Sequence, residues 1–501
     1  MQADAATAER VAFERDFDVC VIGAGPAGIT LARRLAAAGA QVALMEAGGL
    51  DYDEASQAIY AGENVGLDYF ALDAARLRYF GGSSNHWGGW CRALDAQDYR
   101  AKPHNPWSGW PIGRIDLDRY RAETDAILDI PPASALPDLP MPVDGEIFRR
   151  IRFRFSPPTH FASKYGPGIE AAPNILLGLN ASLVDLRLTP DHGAVAAAVF
   201  RGPAPGDPGF SLRARRFCLA TGGIENARLL LNFRSQAPQG IGNAEGLVGR
   251  FFCEHPHFVL GAVMLPGEPL AEMEFYAPTE LFTQEAGILN FGLRLEPGPW
   301  PPTLPASAAR VGLADTPVAL RLLEFMREEA RPPRRAVAAE HMPLVASARL
   351  RTAQEQALNP DSRVTLAEAR DALGLARARL DWRLTELDIH TLRVLATEFG
   401  RHIAETGRGR LRLSDWLMAD PVRLPGIDAD EVAGKHHMCT TRMADDPRRG
   451  VVDGNCRVHG IDNLWIAGSS VFATPGHANP TYTIIQLALR LADHLAERGG
   501  G

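Results

Sequence analysis

The sequence predicts a mixed α/β protein built around one dinucleotide-binding unit, and three observations carry that expectation. A short apolar run, Phe17 to Ile22, passes directly into Gly23-Ala24-Gly25-Pro26-Ala27-Gly28 and then into an Ala/Leu-rich stretch from Ile29 to Ala38, which reads as strand, tight turn and helix. A second apolar strand, Gln41 to Met45, ends in Glu46, at roughly the 20-residue distance where a carboxylate accepts ribose hydroxyls. Further strand–turn–helix passages lie far along the chain, at Arg215 to Asn232 and Asn463 to Leu495, so the unit is assembled from separate stretches.

Each part of the first passage has a physical task. Gly23 permits the turn, Gly25 lets backbone approach a pyrophosphate, and Gly28 lets the helix pack on the strand. The phosphates then meet the free N–H groups and positive end of the helix. Glycine triplets also arise in ordinary loops of a chain with 48 glycines; the strand before, the helix after and the acid at the right distance give this one its meaning. By itself it does not separate FAD from NAD.

With 501 residues, 46% of them hydrophobic, the chain can bury a large core and divide into about two domains. A net charge of −8 and the lack of any long basic run argue against a nucleic-acid partner. The segment Met1 to Asp16 lacks the basic head and apolar stretch of a secretory signal, and no apolar run is long enough to span a bilayer, so a cytoplasmic protein is expected. The six cysteines are scattered without a Cys-x-x-Cys pair, so no metal site is expected.

Downstream of Glu46, the run Gly81-Gly82-Ser83-Ser84-Asn85-His86-Trp87-Gly88-Gly89 is a segment where backbone must lie against something flat or crowded. Prolines and aromatics dominate from Pro103 to Pro173, which reads as irregular substrate-side structure rather than regular sheet. Ser182 to Leu188 is strand-like. The middle of the chain has strand-like pieces at Ser362 to Leu366 and Arg379 to Leu384, then an amphipathic helix from Glu386 with Leu387, Leu392, Leu395, Phe399 and Ile403 on one face, a core stripe. Between Pro297 and Pro333 a Pro/Ala/Arg-rich insertion carries an inner helical stretch, Val318 to Glu329; a solvated excursion, a lid and a partner surface are the readings for it. At the end, Asn479 takes the N-cap position of a last helix, with Pro480 in its first turn.

Four blocks, Gly23 to Gly28 with Glu46, Gly81 to Gly89, Leu219 to Leu231 and Arg442 to Leu495, resemble the glucose-methanol-choline (GMC) oxidoreductase family over essentially the whole length. Asn85-His86-Trp87, Ala478-Asn479-Pro480-Thr481 and His436-x-x-x-Thr440-x-Arg442-Met443 place the likeness nearest to pyranose oxidases and bacterial glycoside 3-oxidases. The resemblance implies a Rossmann-like FAD-binding domain from residues 1–95, 171–260 and 430–501, and a discontinuous, sheet-based α+β substrate-binding domain from 96–170 and 261–429.

It also implies alcohol oxidation, of a sugar or glycoside hydroxyl in the first instance, by proton loss to a base and hydride transfer to flavin N5. Register with Arg442-Met443 makes His436 that base and Asn479 its partner on the substrate oxygen. Cys439 stands where the family usually has glycine, and one residue of slip in that loop would make His437 the base. His477 is a further candidate, its plainer reading being a loop histidine satisfied by backbone. Gly82, Ser83, Ser84 and Asn85 should border the flavin ring, with Pro480 and Thr481 at the helix start that faces it. Val184 resembles the residue whose backbone contacts adenine. Ala220, Thr221 and Gly222 should pass near the adenosine, and Gly468 with Ser469 near the pyrophosphate or ribityl chain. His86 occupies the position that bonds the flavin 8α-methyl in flavinylated relatives, and a ring packed under the flavin without a bond is the alternative. Arg442 either anchors substrate or flavin, or ties its loop to the C-terminal domain. A lyase on the same scaffold, oxidation of a non-sugar alcohol, and an NAD-dependent dehydrogenase are the competing functions; oxygen, a quinone or a protein are the candidate acceptors.

Overall fold

The computed structural model describes residues 1–7, 10–131, 139–140, 145–266, 270, 273–297, 345–427 and 432–497. A six-stranded parallel sheet contains β1 (Gln2–Asp4), β2 (Phe17–Ile22), β3 (Val42–Met45), β4 (Ile175–Leu179), β5 (Ala214–Leu219) and β6 (Leu464–Ile466) in the order β1-β4-β3-β2-β5-β6. Val19, Val21, Val42, Leu44, Leu176 and Leu177 have no exposed surface, as expected of parallel strands covered on both faces. Helices α1 (Pro26–Ala37) and α5 (Thr481–Glu497) pack on one another beside this sheet. The carboxyl ends of β2, β3, β5 and β6 all lead into cavity-lining segments, where ligands of open α/β sheets bind.

The second large sheet is antiparallel. Its order is Arg410–Leu413, His257–Pro266, Val345–Gln354, Phe291–Pro297, Glu274–Pro278, Phe148–Ile151, Leu139–Pro140. Helix α4 (Glu386–Glu405) starts at a Thr385/Asp388 capping box and buries Leu392, Leu395, Phe399 and Ile403; Phe399 meets Phe148 and Tyr276 of the sheet at 5.4 and 5.2 Å between ring centroids. His257, Phe275, Gly292, Arg294 and Thr352 of the same sheet line the cavity, so this sheet is a wall of the site.

The Pro103–Pro173 stretch is more regular than its composition suggests. It holds helix α2 (Phe161–Ala171), with Pro167 inside, and the shorter helices Arg114–Asp118 and Arg121–Ile127. Phe161, Tyr165 and Ile169, spaced four apart, are buried on one face, so tertiary packing outweighs the helix-breaking residues. The Val318 to Glu329 segment lies outside the described residues. The hairpin Arg363–Arg370/Ala376–Asp381 packs on helix α3 (Glu225–Asn232), joined by a buried ion pair between Arg228 and Asp371.

Candidate functional site

A cavity of about 600 Å³ runs from the first glycine turn to the His436 loop. At the turn, Gly23 has φ +103°, and a Cβ there would lie 2.5 Å from the Ala220 carbonyl oxygen; a Cβ on Gly28 would lie 1.8 Å from the Gly23 carbonyl oxygen. Both glycines are demanded by the fold. Gly25 is not: its φ of −86° and ψ of −171° suit any residue, and a Cβ there meets nothing within 4 Å. It is the N-cap of α1 and offers no side-chain cap, so the helix start opens into the cavity as an anion site. Glu46 lines the cavity and accepts from Ala24 N and Gly48 N, both at 2.9 Å; burial raises its pKa and these backbone donors oppose the rise. An N-terminal helix end left uncapped, a glycine needed only by an occupant, and a buried carboxylate at the ribose position fit the adenosine diphosphate half of FAD.

Most of the expected cofactor residues border this cavity. Gly82, Ser83, Ser84, His86, Ala220, Thr221, Gly222, Gly468, Ser469, Pro480 and Thr481 line it. Asn85 does not: its amide donates to the Phe80 carbonyl at 3.0 Å and braces the turn. Nor does Val184, the lining residues of its strand being Ser182 and Leu183. Val184 sits at a register shift between Leu183 and Asp185, and that bulge turns the chain away one residue later than the strand alternation implies.

The last helix also differs from expectation in one position. Ile484 N donates to the Pro480 carbonyl at 2.9 Å, so Pro480 is the N-cap and Asn479 precedes the helix. Freed from capping, the Asn479 amide nitrogen lies 3.3 Å from His436 Nε2. His436, His437 and Asn479 all border the cavity. The Lys435 to Cys439 loop places these rings by two left-handed residues, Lys435 at φ 58° and Cys439 at φ 68°. Cys439 thus adopts the conformation that glycine favours, which accounts for the family's usual residue there.

His436 and His437 have different neighbours. The backbone N–H of His436 donates to both oxygens of Glu254, at 2.7 and 2.8 Å, and its Nδ1 lies 3.0 Å from His255 Nδ1. His437 Nε2 lies 2.9 Å from the Tyr69 hydroxyl, which itself donates to Glu254 at 2.5 Å. With its Nε2 committed to Tyr69, His437 is the weaker candidate for substrate. Burial lowers the pKa of both imidazoles, that of His437 to about 3, with His255, His257 and His437 adding to the effect on His436. Burial likewise pushes the Glu254 carboxyl up to about 7. A neutral His436 has a lone pair for a proton, as a general base requires.

His477 does not line the cavity. It is 1% exposed, and its Nε2 meets the Asp95 carboxylate at 3.2 Å instead of backbone, so it belongs to the buried network behind the site. Arg442 is structural too: it donates to the carbonyls of Arg449, Trp107 and Ala473 and lies over the Phe251 ring.

Tyr69, Glu254, His255 and His257 escaped the sequence reading. The run Glu254-His255-Pro256-His257 places a carboxylate and two imidazoles within four positions, a density that could have marked it. Beyond His436, Trp90, Phe153 and Phe275 pack ring against ring at 5.1 to 5.6 Å, with Arg294 over Trp90 and His257 nearby on the same wall. This chamber offers apolar faces with polar groups between them.

Residues 359–488 match the family model described as GMC oxidoreductase (its C-terminal domain), and residues 18–119 match that described as FAD dependent oxidoreductase. The chain is 28% identical to 6‴-hydroxyparomomycin C oxidase of Streptomyces lividus over 66% of its length and 54% of the relative's, so it spans about half of that protein. It is 24% identical to 2-methyl-1,2-propanediol dehydrogenase of Mycolicibacterium austroafricanum over 96% of this chain and 95% of the relative. Its fold is that of pyridoxine 4-oxidase from Mesorbium loti, with a TM-score of 0.58 and 18% identity over 95% and 98% of the two chains. Among the described residues, no helix is long and apolar enough to cross a membrane.

Proposed function

We propose that this chain, a GMC oxidoreductase by its C-terminal domain and an FAD-dependent one by its N-terminal domain, oxidises an alcohol group of a sugar or glycoside to a carbonyl, with His436 as base and Asn479 as its partner. The observation that carries the reading is the 3.3 Å approach of the Asn479 amide nitrogen to His436 Nε2 at the wall of the nucleotide cavity. His436 Nε2 takes the hydroxyl proton, and the Asn479 amide donates to the same oxygen and holds it in line. FAD, which the glycine turn and Glu46 would hold, would supply the hydride acceptor. Burial excludes water from the imidazole and keeps it neutral until the substrate proton arrives.

The domain assignment belongs to the same proposal: residues 1–95, 171–260 and 430–501 hold FAD, and 96–170 with 261–429 shape the substrate chamber. The similarity to a paromomycin-type oxidase and the aromatic rings around the chamber support a hydroxylated ring substrate, whose C–H faces pack on Trp90, Phe153 and Phe275. The similarity to a diol dehydrogenase supports a small non-sugar alcohol as the second reading. His86 borders the cavity, where it would bond the flavin 8α-methyl or pack beneath the ring; colour in the pellet after acid precipitation assigns the bond, and colour in the supernatant removes it. Six free cysteines, all buried, support a cytoplasmic setting.

The test is a panel of sugars, glycosides and aliphatic diols added anaerobically to the yellow protein. Bleaching of the flavin by glycosides at the lowest concentrations fits the proposal. Bleaching by diols alone moves the substrate class. Turnover of a cyanohydrin with the yellow colour intact would make the protein a lyase.

A further inference from the structure

We infer that His255 is a positioning residue that sets the tautomer of His436 and so determines which of its two nitrogens receives the substrate proton. The inference rests on the reading of His436 as base. Glu254 brings the two histidines together: its carboxylate accepts from His255 N at 2.9 Å and from His436 N at 2.7 and 2.8 Å. The rings then meet through their Nδ1 atoms at 3.0 Å, while His255 Nε2 faces the Pro475 carbonyl oxygen at 3.4 Å. His255 has no exposed surface, so protein groups must supply its partners.

A carbonyl oxygen only accepts, so His255 Nε2 carries the hydrogen. A neutral imidazole has one N–H, and the Nδ1 of His255 therefore presents a lone pair. The 3.0 Å contact between the two Nδ1 atoms is then a hydrogen bond only if His436 Nδ1 is the donor. That leaves His436 Nε2 unprotonated, and this is the nitrogen that faces the Asn479 amide. The resulting chain has one donor and one acceptor at every link: Asn479 Nδ2–H to His436 Nε2, His436 Nδ1–H to His255 Nδ1, His255 Nε2–H to the Pro475 carbonyl. The opposite assignment sets the His255 Nε2 lone pair against the Pro475 oxygen, two acceptors face to face in a buried place, and puts the hydrogen of His436 on the nitrogen that must take the proton. When His436 is protonated, its Nδ1–H still donates to His255, so the imidazolium remains bonded on that side.

Two variants and one spectrum test this. His255→Phe removes the acceptor, and His255→Gln restores one through its amide oxygen. In FAD-loaded protein, H255F should slow flavin reduction on the order of 10²-fold, in kcat far more than in KM, and H255Q should recover at least about tenfold of that loss. Histidine-selective ¹⁵N spectra of the unreduced wild type should show His436 protonated at Nδ1 and bare at Nε2, a distribution lost in H255F. A wild-type His436 protonated at Nε2 overturns the inference, as does an H255F enzyme that reduces its flavin at the wild-type rate. Should H255F not fold, the wild-type spectrum decides alone. If His436→Ala leaves reduction unchanged, the base assignment falls, while the spectrum still reports whether His255 sets the tautomer.

Discussion

Gly25→Ala separates what the fold needs from what a bound nucleotide needs. The backbone at Gly25 is accessible to alanine and the new methyl meets no protein atom within 4 Å. The FAD-free fold should therefore change little: the lower entropy of the unfolded chain adds about 0.4–1 kcal/mol of stability, and the poorer N-cap that alanine makes offsets a comparable amount. The methyl nevertheless projects into the cavity at the start of α1, where the second glycine lets a pyrophosphate approach. An overpacked contact costs about 1–3 kcal/mol, which weakens FAD binding roughly 5- to 150-fold. Gly23→Ala is the contrast: its positive φ costs about 1–3 kcal/mol, to which a clash with the Ala220 carbonyl is added. The assay is a thermal melt of FAD-stripped protein alongside a flavin fluorescence titration. Gly25→Ala should melt close to wild type and bind FAD weakly; Gly23→Ala should melt lower before any FAD is added. A Gly25→Ala protein that binds FAD as tightly as wild type would refute the placement of the pyrophosphate at this turn.

Three further outcomes follow from the same geometry. Asn479→Ala removes one donor to the developing alkoxide and should lower the rate of flavin reduction by about 10²-fold while FAD stays bound; stopped-flow absorbance reads it. His255, His257, His436 and His437 are buried with depressed pKa values, so below about pH 6.5 the unfolded chain takes up protons that the folded one refuses. Each histidine then removes up to about 1.4 kcal/mol of stability per pH unit as pH drops from that value toward the folded pKa values, while Glu254, held up to about 7, and Asp98 and Asp388, each held up to about 6, take up protons in the folded state and offset part of the loss; urea midpoints between pH 8 and 5 should show a net fall, and a midpoint that rises toward pH 5 contradicts it. Arg228→Ala leaves Asp371 a buried carboxylate without its cation, while Glu225 keeps Arg76, and should destabilise the protein by about 3–5 kcal/mol, read as a lower melting temperature.

The nucleotide half of the fold was legible because its signals are local. Phe17–Ile22 is a strand with the bounds its apolar run suggests, Ser182–Leu188 likewise, and α4 begins at Glu386. Local signals failed where tertiary packing decided: Phe161, Tyr165 and Ile169 hold a helix across Gly166-Pro167-Gly168, and the bulge at Val184 shifts the lining by one residue. Capping rules placed Asn479 at the N-cap because Asn is favoured there, whereas Pro480 takes that position and leaves the amide to His436. The partners of the base were out of reach for another reason. Tyr69, His255 and His436 are far apart in sequence; the Cys253–Met438 and Pro256–Ala433 bridges set His255 beside His436, and Tyr69 joins them through Glu254.

The proposed chemistry takes the proton of an alcohol to His436 and its hydride to bound FAD. Anaerobic stopped-flow reduction of the flavin by one glycoside substrate, in wild type and His436→Ala at matched FAD content, tests it most directly. A loss of about 10²–10⁴-fold in the limiting rate is expected, with the oxidised spectrum unchanged. Reduction of the His436→Ala flavin at the wild-type rate would contradict it.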